Sequence, residues 1–109
     1  VEALAAMRRC FLPLACLGRS VPIHVDENGY PTGPGRPESN QLSALNGFVR
    51  AVNAFRGTYN VSNYSWFGLR DNDSSDPNFQ SQYGLLHSDY TPKPAFWLYR
   101  YLVARFSGR

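Results

Sequence analysis

Two adjacent acids, Asp26 and Glu27, stand near the middle of Val21-Pro22-Ile23-His24-Val25-Asp26-Glu27-Asn28-Gly29-Tyr30-Pro31-Thr32. The β-branched residues Val21, Ile23 and Val25 alternate, which predicts a short strand over Val21 to Asp26, and Asn28-Gly29 with Pro31 after it predicts an abrupt end. A carboxylate at the carboxyl end of a strand, followed by a turn and a helix, stands where α/β barrels carry their catalytic groups. The chemistry open to a carboxylate there is nucleophilic attack or proton transfer. Glu27 is therefore the leading catalytic candidate. The competing reading is a solvated acid that accepts hydrogen bonds from an Asn-Gly turn, a common arrangement at strand ends.

The elements that must position these acids follow from periodicity. Residues 1 to 19 begin as a helix, with Leu4, Met7, Phe11 and Leu14 at three- and four-residue steps and Arg8 and Arg9 on the other side. Tyr30 to Pro37 carries three prolines and two glycines, has no period, and reads as a loop directly after Glu27. It suits a wall of a site and a plain connector equally. A second helix is expected from Glu38 to Phe55, with Pro37 before it and Gly57 just past its end. Leu42, Leu45, Val49 and Val52 form its apolar stripe, widened by Phe48 and Phe55, while Gln41, Asn46, Arg50 and Asn53 fall mostly outside it and are expected in solvent. Val61 to Leu69 predicts a second strand, Arg70 to Pro77 a polar surface loop, and Phe79 to Tyr90 a short extended segment with a turn. Pro94 to Phe106 predicts a last helix whose broad apolar face includes Trp97, a core or interface residue. Strands that alternate with helices indicate parallel βα units.

Composition narrows the function. The 109 residues allow one small domain, and 43% apolar with 17% charged residues is ordinary for a folded chain. The net charge is +3, but no basic run exceeds Arg8-Arg9, so nucleic acid is not an expected partner. No stretch approaches the roughly 18 apolar residues of a membrane span. Cys10 and Cys16 show neither zinc spacing nor a disulfide framework and are expected to be buried thiols. His24 and His87 lack ligand spacing, and the Asp71 to Asp76 loop lacks the glycine and terminal Glu of a calcium loop, so neither a metal nor another cofactor is expected. Aromatics make up 15% of the chain, several of them beside Asn, Asp and Ser, a distribution that suits a sugar-binding cleft as well as a core.

Taken together, Pro22 to Thr32, the Gln41 helix, Tyr64-Ser65-Trp66-Phe67, Leu69-Arg70-Asp71, Tyr83-Gly84-Leu85-Leu86 and Lys93-Pro94-Ala95-Phe96 give the chain a resemblance to a known family. In this order and spacing it resembles the C-terminal quarter of retaining TIM-barrel glycoside hydrolases, in the large clan of cellulases and β-xylosidases. The resemblance implies a fragment of a (β/α)8 barrel, approximately its last two strand-helix units. Residues 1 to 109 would form a single partial domain, whose remaining barrel lies upstream. It implies Glu27 as the nucleophile at the tip of the seventh strand and an eighth strand that includes Tyr64 to Leu69. Trp66 would be the sugar platform, with Tyr30 and Arg70 beside the substrate. Asp26 stands where many relatives have Thr or Ser. The family's acid/base, a Glu after the fourth strand, would lie outside this chain, and Asp26 is not expected to replace it because neighbouring strand residues point to opposite faces.

The implied activity is retaining hydrolysis of β-linked poly- or oligosaccharides, with no cofactor, carbohydrate as partner, and a secreted location by family likeness alone. The start at Val1, already inside a helical pattern, agrees with a chain cut from something longer, and low stability is expected for the isolated piece. Two alternatives stay open. One is a non-catalytic carbohydrate-binding or structural remnant without the acid/base; the other transfers the sugar to an acceptor other than water. Sugar identity and exo or endo action are not encoded in these residues.

Overall fold

A computed structural model describes residues 1–108. The elements run α1 (Glu2–Ala6), a π-helical turn (Met7–Phe11), α2 (Leu12–Leu14), β1 (Ile23–Asn28), α3 (Glu38–Tyr59), β2 (Val61–Trp66), a 3-10 turn (Phe79–Ser81) and α4 (Pro94–Phe106). β1 and β2 are parallel neighbours in a two-stranded sheet. Parallel neighbours cannot be joined by a tight turn, and α3 makes the crossover. The α/β class expected from alternating periods is the one observed.

The register of the sheet is interrupted twice. Ile23 pairs with Val61 but His24 with Asn63, so Ser62 is an extra residue in β2. Val25 pairs with Tyr64 but Asn28 with Trp66, so β1 in turn gains a residue at Asp26-Glu27. Each bulge reverses the side-chain alternation beyond it. Under the helices lie Ile23, Val25, Val61, Tyr64 and Trp66. Unbroken alternation from Ile23 and Val61 would have placed Glu27 and Phe67 there instead.

Two clusters share the interior. Leu45, Val49, Trp66, Leu85, Ala95 and Leu102 join α3, β2 and α4, while Leu4, Ile23, Tyr59 and Val61 tie α1 to the amino-terminal end of the sheet. The α3 stripe behaves as its spacing predicts, with Leu45 and Val49 buried. The helix nevertheless runs past Phe55 and through Gly57. A glycine inside a helix costs about 1 kcal/mol against alanine, and burial of Tyr59 two residues later offsets it. Asn60 then ends the helix in the left-handed conformation, at φ 51°. Its side-chain amide donates to the carbonyls of Arg19 and Ser20, fastening the helix end to the segment before β1.

Several expectations are corrected here. β1 begins at Ile23 and continues to Asn28, so Glu27 lies inside the strand; β2 ends at Trp66 rather than Leu69. On the first helical segment only Leu4 of the apolar series is buried, and Phe11 and Leu14 are 60% and 82% exposed. Arg8, on the side of the helix opposite the apolar series, is buried. Its guanidinium donates to the carbonyls of Tyr59 (2.9 Å) and Val21 (2.7 Å) and, at 3.4 to 3.5 Å, to those of Gly18, Arg19 and Asn60. Gln41, expected in solvent, is fully buried. Cys10 and Cys16 are exposed thiols rather than buried ones. Trp97 projects from α4 and is 54% exposed, so it is not part of the core. Among the described residues no helix is long and apolar enough to cross a membrane.

Candidate active site

The bulge in β1 decides where the two acids sit. Asp26 and Glu27 lie between Val25, which packs on the second core, and Asn28, whose side-chain oxygen accepts the Tyr64 hydroxyl at 2.7 Å. Both acids are exposed. The strict opposition of neighbouring strand residues expected for this pair therefore does not hold, because the extra residue absorbs it. Asp26 is held by Asn63, whose amide donates to its carboxylate at 3.0 Å and reaches Ser65 Oγ at 3.4 Å. No ion pair among the described residues involves Glu27. The sheet face that bears exposed His24, Asp26 and Asn63 is polar, and the opposite face carries the helices. Burial, reinforced by the neighbouring Tyr99 phenol, pushes the Tyr64 phenol well above its ordinary value of 10.0. Tyr64 thus remains a proton donor to Asn28 and fixes the end of the Glu27 strand.

The aromatic expected to carry sugar is not the one the fold presents. Trp66 is 7% exposed, lies against Phe48 with ring centroids 6.4 Å apart, and donates its indole N–H to the Tyr83 carbonyl. It is a core residue rather than a sugar platform. The physical reason is the extra Ser62, which moves the inward positions from 63 and 65 to 64 and 66. Phe67 takes the exposed place at the end of β2 and is 49% exposed. Its backbone N–H donates to the Asn28 carbonyl at 3.0 Å, one residue beyond Glu27. Gly29 is required for this contact, since a Cβ there would collide with the Phe67 carbonyl oxygen.

Tyr30 and Arg70, the other expected substrate contacts, are not brought to Glu27 by any contact in the structure. Tyr30 is half-buried against the main core, and its carbonyl accepts from Gln41 at 3.0 Å. Arg70 is exposed, donates to the Ser88 carbonyl at 3.0 Å, and lies over the Tyr90 ring at 5.0 Å.

A buried polar network that sequence reasoning missed holds the loops around the site. Lys93 and Asp71 form a fully buried ion pair at 2.8 Å, and Lys93 Nζ also donates to Thr32 Oγ1 at 2.8 Å. Asp71 accepts further bonds from the Gly84 backbone N–H and the Ser74 hydroxyl, both at 2.8 Å. Thr32 donates its backbone N–H to the Gln82 carbonyl at 2.9 Å. Gln41 donates to the Gly84 carbonyl at 3.1 Å, leaving its own buried side-chain oxygen without a partner. The stretch expected to be a surface loop at Arg70 to Pro77 is therefore anchored at Asp71 in the interior. Its signal was an acid next to Arg70 and a lysine between two prolines, neither of which announces a partner.

No group of three or more His, Cys, Asp or Glu among the described residues could hold a metal ion. Compared with models of protein families, with curated proteins and with solved structures, the chain gives no match. Its function has to be argued from its own residues.

Proposed function

We propose that the chain is the nucleophile-bearing part of a retaining β-glycosidase, contributing approximately the last two strand-helix units of a TIM barrel. The observation that carries this reading is the exposed Glu27 at the carboxyl end of a parallel strand, turned out of the helix-covered face by a bulge. Bulges next to catalytic positions re-aim a side chain in this way. A polar sheet face opposite helices, with both strands open to further neighbours, agrees with a segment of a barrel wall.

In the proposed reaction a Glu27 oxygen attacks the anomeric carbon of a β-linked sugar. The bond from that carbon to the leaving oxygen breaks as a second carboxyl group, about 5 to 5.5 Å away, donates its proton. Water then attacks the glycosyl-enzyme ester, loses its proton to the same second group, and releases Glu27. Asp26 does not fill the second role, since Asn63 holds its carboxylate. That acid belongs to the rest of the barrel. Exposed Phe67, one hydrogen bond away from the end of the Glu27 strand, replaces Trp66 as the ring against which the sugar packs.

The test is Glu27→Gln in the full-length protein. Turnover of β-linked oligosaccharides is expected to fall by several orders of magnitude, because the amide cannot form the covalent intermediate. Near-native turnover would refute the assignment. The non-catalytic, glycan-binding alternative is favoured by the aromatic rings gathered near Phe67. It predicts no turnover even in the unsubstituted protein, with binding intact.

A further inference from the structure

From Phe67, whose backbone N–H is bound to the Asn28 carbonyl at the end of β1, a row of aromatic rings leads away and finishes at a cation. Tyr83 meets the Phe67 ring edge-on, with centroids 5.7 Å apart, and Phe79 lies 6.3 Å beyond Tyr83. The Arg36 guanidinium then lies over Phe79, 4.8 Å from its centroid. Phe67 and Phe79 are exposed, and Tyr83 is half-buried between them.

This row is held in place from below. Arg36 sits on a tight turn in which the Gly33 N–H donates to the Arg36 carbonyl at 3.1 Å and the Arg36 N–H returns to the Gly33 carbonyl at 2.8 Å. Gly33 has φ 120°, and a Cβ there would come within 2.9 Å of the Gln82 side chain, so the turn is pressed onto the segment that carries Tyr83. Thr32, next to Gly33, is bound to Gln82 and to the buried Lys93-Asp71 pair. At its other end the Gly68 N–H donates to the Tyr83 carbonyl at 3.3 Å.

Arg36 takes part in no ion pair among the described residues. An arginine lying over a ring keeps its planar donors available for an oxyanion at its edge, and an exposed ring offers an apolar face to sugar C–H groups. The geometry points to a subsite for an anionic glycan: sugar rings pack along Phe67 and its neighbours, and the carboxylate or sulfate of a unit further along the chain is received by Arg36. The inference rests on the glycosidase reading, which supplies the sugar at Glu27, and it adds the class of substrate.

The experiment uses the full-length protein carrying Glu27→Gln, so that ligands are not consumed. Xylo-, gluco- and galacto-oligosaccharides, each in neutral, uronate-bearing and sulfated form, are titrated by calorimetry. An anionic form is expected to bind about tenfold more tightly than its neutral counterpart, the gain of one charge-assisted contact, and the advantage should shrink as salt is raised. Which of the two anionic forms gains more identifies the oxyanion. Arg36→Ala is expected to remove the advantage and leave neutral ligands unchanged, Arg36→Lys to retain part of it, and Phe67→Ala to weaken all forms alike. Equal affinity for neutral and anionic ligands, an advantage insensitive to Arg36→Ala, or no binding at all would overturn the inference. Turnover of neutral substrates by the unsubstituted protein, with no anion preference, overturns this inference alone. An Arg36-dependent preference without any turnover overturns the glycosidase reading alone.

Discussion

At the amino-terminal end of the sheet Arg8 is satisfied by backbone carbonyls alone, whereas at the carboxyl end Lys93 is satisfied by a carboxylate and a hydroxyl. Both cations are buried, and both join segments far apart in the chain. Their partners differ in what they demand of the sequence. Every residue has a carbonyl, so the Arg8 clamp gathers the ends of α3 and the approach to β1 with little regard to side chains. The Lys93 contacts need Asp71 and Thr32 in particular, and through them Gly84 and Gln82 are set in place. One end of the sheet is therefore fastened, and the other is fastened and shaped. In α/β barrels the carboxyl end carries the chemistry and the amino end mainly stability. Under the proposed function the two ways of satisfying a cation would follow that division.

The comparison breaks first at Lys93. Lys93→Ala leaves the Asp71 carboxylate buried without its counter-charge, for which about 3–5 kcal/mol of stability is expected to be lost. Denaturant unfolding of the full-length protein measures it, and a loss below 1 kcal/mol would mean that water reaches Asp71. The double variant Lys93→Met with Asp71→Leu sharpens the point. Replacing both ions by apolar groups of similar size is often neutral for stability, but Asp71→Leu also leaves the buried Gly84 N–H without its acceptor, so the midpoint should recover only in part. The loops around Phe67 and Arg36 should stay untied, however, with faster amide exchange at Thr32 and Gly84.

Arg8→Ala is the matching change at the other end, with a smaller expected effect. The carbonyls it leaves are only partly buried in four of the five contacts, so water can replace much of what is lost. A cost of about 2 kcal/mol is expected, in line with one charged donor and one buried acceptor left without a partner. Amide exchange at Thr32 and Gly84 should not change. A rise there comparable to that of the Lys93 variants would erase the distinction between the two ends.

What could be read in advance divides along the same line. The strand near Glu27, the α3 stripe and the bounds of α4 rest on period, which is local, and each was legible. Lys93 meets Thr32 across 61 positions and Asp71 across 22, and Arg8 meets Tyr59 across 51. No local pattern tells a cation destined for such a partner from one destined for water. Gln41, expected in solvent from its place outside the α3 stripe, is buried in the same way, and the burial of Arg8 has no local sign. The bulges were hidden more deeply. Trp66 and Phe67 are adjacent aromatics, and which of them faces the helices depends on one extra residue, Ser62, whose own type gives no sign of it. The same holds at Asp26-Glu27, where one extra residue in β1 leaves both acids exposed and the strand continues past its expected end.

The smallest expected effect lies between the two ends, at Tyr64. Its phenol donates to Asn28, and burial with the nearby Tyr99 raises its pKa above the ordinary 10.0. The folded state thus binds the proton more tightly than the unfolded chain does. Stability from this source is fully present below pH 10.0 and is lost as pH rises from there through the folded-state value. Unfolding midpoints measured between neutral pH and the alkaline limit should decline in that window, and Tyr64→Phe should flatten part of the decline. The substitution also removes the bond to Asn28, worth about 1 kcal/mol at neutral pH. Because Asn28 carries the inward parity that leaves Glu27 exposed, Tyr64→Phe should loosen the bulge and lower turnover modestly. An unchanged alkaline slope would show that Tyr64 reaches solvent freely, and unchanged turnover that the bulge holds Glu27 without its help.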